Sequence, residues 1–141
     1  MGYVCFMFEK CIYFNSNAFV RGLNRVWDEA YKPSGLSAPH AYLLRLVCSE
    51  PGITQKEAGR QLQLEKSTIT RFVSALETKG LLLRQAGENG REVCLKASAA
   101  GKRLCKQLDD IGAGLYKKMR KQLGARQFEN IVQLMKIGNS I

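Results

Sequence analysis

Lys66, Ser67, Thr68, Thr70 and Arg71 crowd hydrogen-bonding side chains into one short stretch in which Ile69 alone is apolar. Hydroxyls donate to and accept from base edges and phosphates, and an arginine can grip guanine O6 and N7 with two parallel hydrogen bonds. On a helix these residues avoid the stripe formed by Ile69, Phe72, Val73 and Leu76. One face would then rest on a core while the other is offered outward. The chemistry is recognition rather than bond-making. The plainer alternative is that Ser67 and Thr68 only cap a helix and Arg71 only solvates its surface. The elements around them and the charge of the chain weigh against it.

Those elements read as follows. Residues 53–82 form two short helices joined by a tight turn, the layout that points a second helix into the DNA major groove. Thr54 and Glu57 have capping-box spacing, and Gly80 sits where a left-handed C-terminal residue is wanted. Residues 81–85 and 91–96 are strand-like, and Asn89-Gly90 between them is a strong hairpin signal. A helix-turn-helix followed by a hairpin is a winged helix. Arg91, just past the hairpin tip, can enter a narrow minor groove where negative potential concentrates, or remain a solvated turn arginine. Lys79, Arg84 and Lys96 suit phosphate contacts, which add affinity without reading sequence.

Flanking helices carry broad apolar stripes. Phe8, Cys11, Ile12, Phe19, Leu23, Val26, Trp27 and Ala30 recur at steps of three and four. So do Leu104, Leu108, Ile111, Leu115 and Met119, and, past Gly124, Phe128, Ile131, Val132 and Met135. The central segment could not cover them all, and such helices commonly bury one another across a two-fold axis. The expected architecture is mainly α with a small β-hairpin wing (α+β), a winged helix-turn-helix with terminal dimerisation helices. Residues 36–101 would be the DNA-binding domain, and 1–35 with 102–141 the helical dimerisation region. A single larger helical monomer is the alternative.

Composition narrows the function. The chain has 141 residues with 22 Lys and Arg against 12 Asp and Glu, a net charge of +10, which favours a polyanionic partner. Nucleophile-elbow and phosphate-loop motifs are lacking and there is one His, so an enzyme is not expected, nor a cofactor or metal. No run approaches the ~18 apolar residues that span a bilayer, and the apolar start at residues 3–8 is too short for a signal sequence. The five cysteines, Cys5, Cys11, Cys48, Cys94 and Cys105, are odd in number and scattered, which predicts no disulfide framework and a reducing cytoplasmic setting. The rival from another class is a winged helix serving as a protein-interaction or RNA-binding module without operator specificity.

With these residues in view, the chain resembles the MarR (multiple antibiotic resistance regulator) family of bacterial transcription factors. The resemblance is carried by the runs at residues 53–58, 66–73, 76–81 and 93–101. It implies a homodimer that binds a pseudo-palindromic double-stranded DNA operator, represses transcription, and is released by a small molecule or an oxidant. Three positions depart from the pattern. The wing reads Asn89-Gly90-Arg91 where the family has Asp-Arg-Arg, and Glu65 stands where it has a Ser-type cap. Cys11 lies near the reactive cysteine of the organic-hydroperoxide-sensing branch, and Tyr13, Tyr31 and Tyr42 are candidates to hydrogen-bond its thiolate. The alternative for Cys11 is an inert core residue. The competing trigger is a small aromatic or phenolic ligand beside Trp27, His40 and Tyr42, with Tyr13 and Tyr31 as further candidates for its pocket, aromatics that could equally be plain core.

Overall fold

The computed structural model describes residues 7–141; Cys5 and residues 3–6 of the apolar start lie outside the described residues. The first long helix is α1 (Ile12–Tyr31). Periodicity predicts it from about residue 8, but the helical residues 7–9 stop and Cys11 caps a new helix, its Sγ accepting from Phe14 N at 3.5 Å. Asn15 fixes the break. Its Nδ2 shares its hydrogens among the carbonyls of Phe8 (3.2 Å), Glu9 (3.0 Å) and Cys11 (2.8 Å), tying the end of the first helical turn to the start of α1.

A short 3₁₀ turn (Lys32–Ser34) leads to α2 (Ala38–Ser49), whose cap is Ser37. Next comes α3 (Gln55–Gln61), where Thr54 Oγ1 accepts from Glu57 N at 3.1 Å. The capping box closes on that side only, because the Glu57 carboxylate turns instead to Arg60 and Gln61. A tight turn with Gln63 at φ 55° opens α4 (Lys66–Thr78). Gly80, at φ 71°, ends that element in a conformation L side chains rarely adopt.

The wing is β1 (Leu82–Ala86) paired antiparallel with β2 (Val93–Ala97), Leu82 opposite Ala97 and Ala86 opposite Val93. Its tip is a six-residue connection rather than a two-residue turn, since the strands close at Ala86 and Val93. Gly90, at φ 69°, lies inside a turn closed by Gly90 N to Gly87 O at 2.9 Å. The segment before α3 adds a third rung: Leu95 N donates to Ile53 O and Gly52 N to Leu95 O, each at 2.9 Å.

Ser98 then caps α5 (Ala99–Leu123) through Gly101 N at 3.0 Å and ties back to Gly80 O at 2.6 Å. Gly101 is dictated by space, because a Cβ there would run into the Leu81 carbonyl. Gly124 breaks the chain into α6 (Ala125–Gly138). The core lies where α2, α4, the wing and the first half of α5 meet, with Leu43, Leu44, Val47, Val73, Leu76, Leu82, Leu95 and Leu108 all fully buried. Since α5 runs unbroken across residue 102, the head at 36–101 and the terminal region share one rigid element.

One sequence expectation is corrected. A disulfide joins Cys48, in the last turn of α2, to Cys105, in the second turn of α5. The two are 57 residues apart in sequence, and only the packing of α2 on α5 makes them neighbours.

Candidate nucleic-acid interface and effector cleft

Burial of Ile69, Val73 and Leu76 in the core decides which face of α4 is free. Lys66, Ser67, Thr70 and Arg71 are exposed, Thr68 is half-buried, and Arg71 Nη2 reaches Thr68 Oγ1 at 3.5 Å. Thr70 is already engaged. Its hydroxyl donates to Lys66 O at 2.8 Å and accepts from Gln55 Nε2 at 3.0 Å. That bond locks the start of α3 to the middle of α4, so Thr70 and Gln55 fix the angle of the helix pair. Arg84, which suits a phosphate contact from sequence, is turned along the surface toward α4. Its guanidinium holds Ser74 Oγ at 2.8 Å, Glu77 Oε1 at 3.3 Å and Thr70 O at 3.4 Å, clamping the wing to the back of α4.

The wing tip is built by its own side chain. Asn89 Oδ1 accepts from Arg91 N at 3.1 Å, a local turn that an asparagine forms without a charged partner. Arg91 is exposed there. Between the tip and the starts of α3 and α4 lies a cleft of about 530 Å³ whose walls carry Lys56, Arg60, Lys66 and Arg91. Four cations around one concavity, against the single carboxylate of Glu92 in its lining, suit a phosphate backbone. Arg60 is partly committed: it pairs with Glu57, and this hydrogen bond, with that from Gln61, holds the Glu57 carboxyl down at about 2. Lys56, Arg60 and Gln55 are missing from the sequence reading. Their only signal was position, the exposed first turns of the helix that precedes the reader.

Glu65 is the N-cap residue of α4 but makes no side-chain cap bond. Its carboxylate stays near the positive helix end and beside the face that would meet phosphates.

A second cleft, of about 610 Å³, opens between α1 and the head. Trp27 and Tyr42 line it, with Trp27 Nε1 donating to Tyr42 OH at 2.8 Å, and Asp28 and Ser37 add polar groups to its wall. The other aromatics expected there stand elsewhere. Tyr31 is fully buried, its phenol pKa raised by burial and by Tyr42, while Arg45 Nη1 approaches its hydroxyl at 3.4 Å. His40 bonds Ser37 Oγ through Nδ1 and stacks on Phe72 of α4 at 4.3 Å; burial, with Lys79, lowers its pKa. Tyr13 is 78% exposed on α1. The hydrogen bonds described for Tyr31 and Tyr42 thus go to Arg45 and Trp27, and the contact described for Cys11 Sγ is Phe14 N.

Residues 34–92 match the model of the MarR family, a span that holds α2 to α4, β1 and the wing tip just described. Over that segment the chain is similar to the MarR family. The family's members are DNA-binding transcriptional regulators, not enzymes.

The MarR fold extends beyond that segment. MepR of Staphylococcus aureus, solved with DNA, matches with a TM-score of 0.81 at 17% identity over 93% of this chain and 98% of that one. The MosR regulator of Mycobacterium tuberculosis, also solved with DNA, gives 0.76 at 22% identity over 93% and 98%. The PcaV regulator of Streptomyces coelicolor, solved with its natural ligand, gives 0.76 at 23% identity over 86% and 89%. Among curated proteins the sequence finds no match. At these identities the likeness is one of fold, and it covers the terminal helices as well as the head. Within this fold, α4 is the second helix of the helix-turn-helix and β1–β2 is the hairpin that follows it. No helix among the described residues is long and apolar enough to cross a membrane.

Proposed function

We propose that this chain is a MarR-family regulator, a homodimeric repressor that binds a pseudo-palindromic operator and lets go when a small aromatic acid or phenol fills the cleft beside Trp27 and Tyr42. The observation that carries the reading is the continuity of one surface. The exposed side chains Lys66, Ser67 and Arg71 on α4 run into the basic cleft closed by Arg91 at the wing. Arg71, Ser67 and Thr68 meet base edges, while Lys66, Lys56 and the tip with Asn89 and Arg91 follow the backbone and the minor groove. Thr70 contributes by holding the helix pair rather than by touching a base.

The dimer rests on the apolar groups that the protomer leaves uncovered. Ile12, Leu134 and Ile137 are 84%, 67% and 70% exposed, and no residue of α6 is buried. A second copy of α1 and α6 would cover these groups, joining residues 1–35 and 102–141 as the dimerisation region.

Selection from a random duplex pool tests the operator. Enriched sequences should carry two related half-sites centred about 10 base pairs, or a multiple of that, apart. Recovery of a pool without sequence preference would leave only a non-specific binding module. Trp27 is the one tryptophan of the chain and lines the cleft, so its fluorescence reports an occupant directly. A panel of phenolic acids should quench it saturably and release the operator over the same range. Quenching without release would remove the cleft from the control mechanism.

One observation favours a second trigger. The Cys11 thiol caps α1, its Sγ accepting from Phe14 N at 3.5 Å, at the edge of the first helix. A hydroperoxide that dissociates the wild type but not Cys11→Ser would assign release to that thiol.

A further inference from the structure

The Cys48–Cys105 disulfide encloses a particular part of the chain. Between the two cysteines lie α3, α4, β1 and β2, every element that carries the proposed DNA contacts. The cross-link closes that loop at its base. One cysteine ends the helix that supports α4, through His40 on Phe72 and through Leu43, Leu44 and Val47 in the core. The other begins the helix that runs on to Leu123 and the terminal region. Cys105 is buried beside Leu44 O, at 3.5 Å, whereas Cys48 is half-buried beside the exposed residues Ser49 and Glu50. No other covalent bond among the described residues fixes α2 against α5, and the nearest polar tie, Arg45 to Asp109 at 2.8 Å, lies on the same two helices one turn away.

We propose that Cys48 and Cys105 form a thiol–disulfide exchange site for low-molecular-weight disulfides, and that its closed form holds the reading head in its DNA-binding geometry. This rests on the DNA-binding reading above. The Cys48 thiol, the more accessible of the two, loses its proton and attacks one sulfur of the small disulfide, expelling one thiolate. The Cys105 thiol, deprotonated in turn, attacks Cys48 Sγ and expels the second thiolate. The protein dithiol is oxidised by two electrons, the small disulfide is reduced to two thiols, and the two protons pass to the leaving thiolates. Closing the pair removes relative motion of α2 and α5 before DNA arrives, so less ordering remains to be done on binding.

The test uses the full chain with Cys5, Cys11 and Cys94 replaced by Ser, equilibrated with reduced and oxidised glutathione at set ratios. Peptide mapping after thiol alkylation reports the cross-link, and fluorescence anisotropy on a duplex selected by the protein reports binding. The expected result is one two-electron transition in the Cys48–Cys105 linkage. Affinity should rise at least fivefold in parallel, and Cys48→Ser and Cys105→Ala should both hold the weaker affinity at every ratio. Equal affinity at both ends of the titration, or a gain that persists in Cys48→Ser, overturns the proposal. Absence of the cross-linked peptide under oxidising conditions overturns it as well. Failure to bind any duplex in either redox state would instead sink the DNA-binding reading, a result distinct from equal, measurable binding in both.

Discussion

Arg71 and Thr70 stand one position apart on α4, yet the structure gives them different work. Arg71 is exposed and, among the described residues, bonds Thr68 alone, which leaves it able to meet a base edge, whereas Thr70 is held between Lys66 O and Gln55. Arg71→Ala should weaken selected-duplex binding by about 1–3 kcal/mol and relax base preference at one position of each half-site. An equal loss on random duplex would make Arg71 a phosphate contact. Gln55→Ala should weaken binding to all duplexes together, because it loosens the angle between helices rather than a reading contact. Glu57 offers a pH readout at the same scale. Its carboxyl is held down at about 2 by the Arg60 hydrogen bond and then by Gln61, so its favourable bonds persist above the ordinary carboxylate range and are lost as pH falls toward 2. Arg60→Ala should return the Glu57 midpoint, followed by carboxyl NMR, toward 4.5. The sequence showed Arg71 by its place off the apolar stripe. It showed nothing of Thr70's engagement, because a hydroxyl's partner depends on the crossing angle of two helices.

The elements were more legible than the contacts between them. Caps at Ser37 and Thr54, the Gly80 stop and the stripes of α2, α4 and α5 follow from local rules, since each depends on residues within one or two turns. The break at Cys11 was missed because apolar periodicity continues through it, and only the reach of the Asn15 side chain back to three carbonyls shows that the helix restarts. The third rung at Ile53 was missed because one pair of hydrogen bonds leaves no strand pattern in sequence. Gly101 belongs to this scale. Gly101→Ala should push the start of α5 off the Leu81 carbonyl, and a loss of about 1–3 kcal/mol in denaturant stability is expected, as for overpacking of a core. A loss no larger than for an exposed-helix control would mean that α5 shifts freely. His40 gives the head an acid sensitivity. Burial and Lys79 lower its pKa below 6.5, so the folded head binds fewer protons than the unfolded chain as pH drops through that value. Stability should therefore be full above pH 6.5 and fall below it, and His40→Gln should flatten the slope measured by thermal melts.

At the scale of the whole molecule, reader and scaffold share a helix. Residues of α5 before about 110 pack in the head, and the remainder leads to α6, where Tyr116 meets Phe128 edge-on at 5.3 Å and Arg120 bridges to Glu129 at 2.7 Å. A double variant, Leu134→Asp with Ile137→Asp, should turn a dimer into a monomer by light scattering and abolish binding to a two-half-site duplex. Persistence of the dimer would place the interface elsewhere. The cross-link between Cys48 and Cys105 adds a term at this scale too. Constraining a 57-residue loop in the unfolded chain is worth on the order of 4 kcal/mol in the chain-entropy picture, so reduction should lower the melting temperature of the head visibly.

The sequence by itself determined a basic chain with a capped helix pair, a wing and apolar terminal helices, because charge, caps, turns and periodicity are written in neighbouring residues. The tertiary structure alone decided that Arg84 is bonded to α4, that Trp27 and Tyr42 share a cleft wall while Tyr31 and His40 do not, and that Cys48 meets Cys105. Each of these joins residues far apart in the chain, and their distance is set by how the helices cross, which no local pattern encodes.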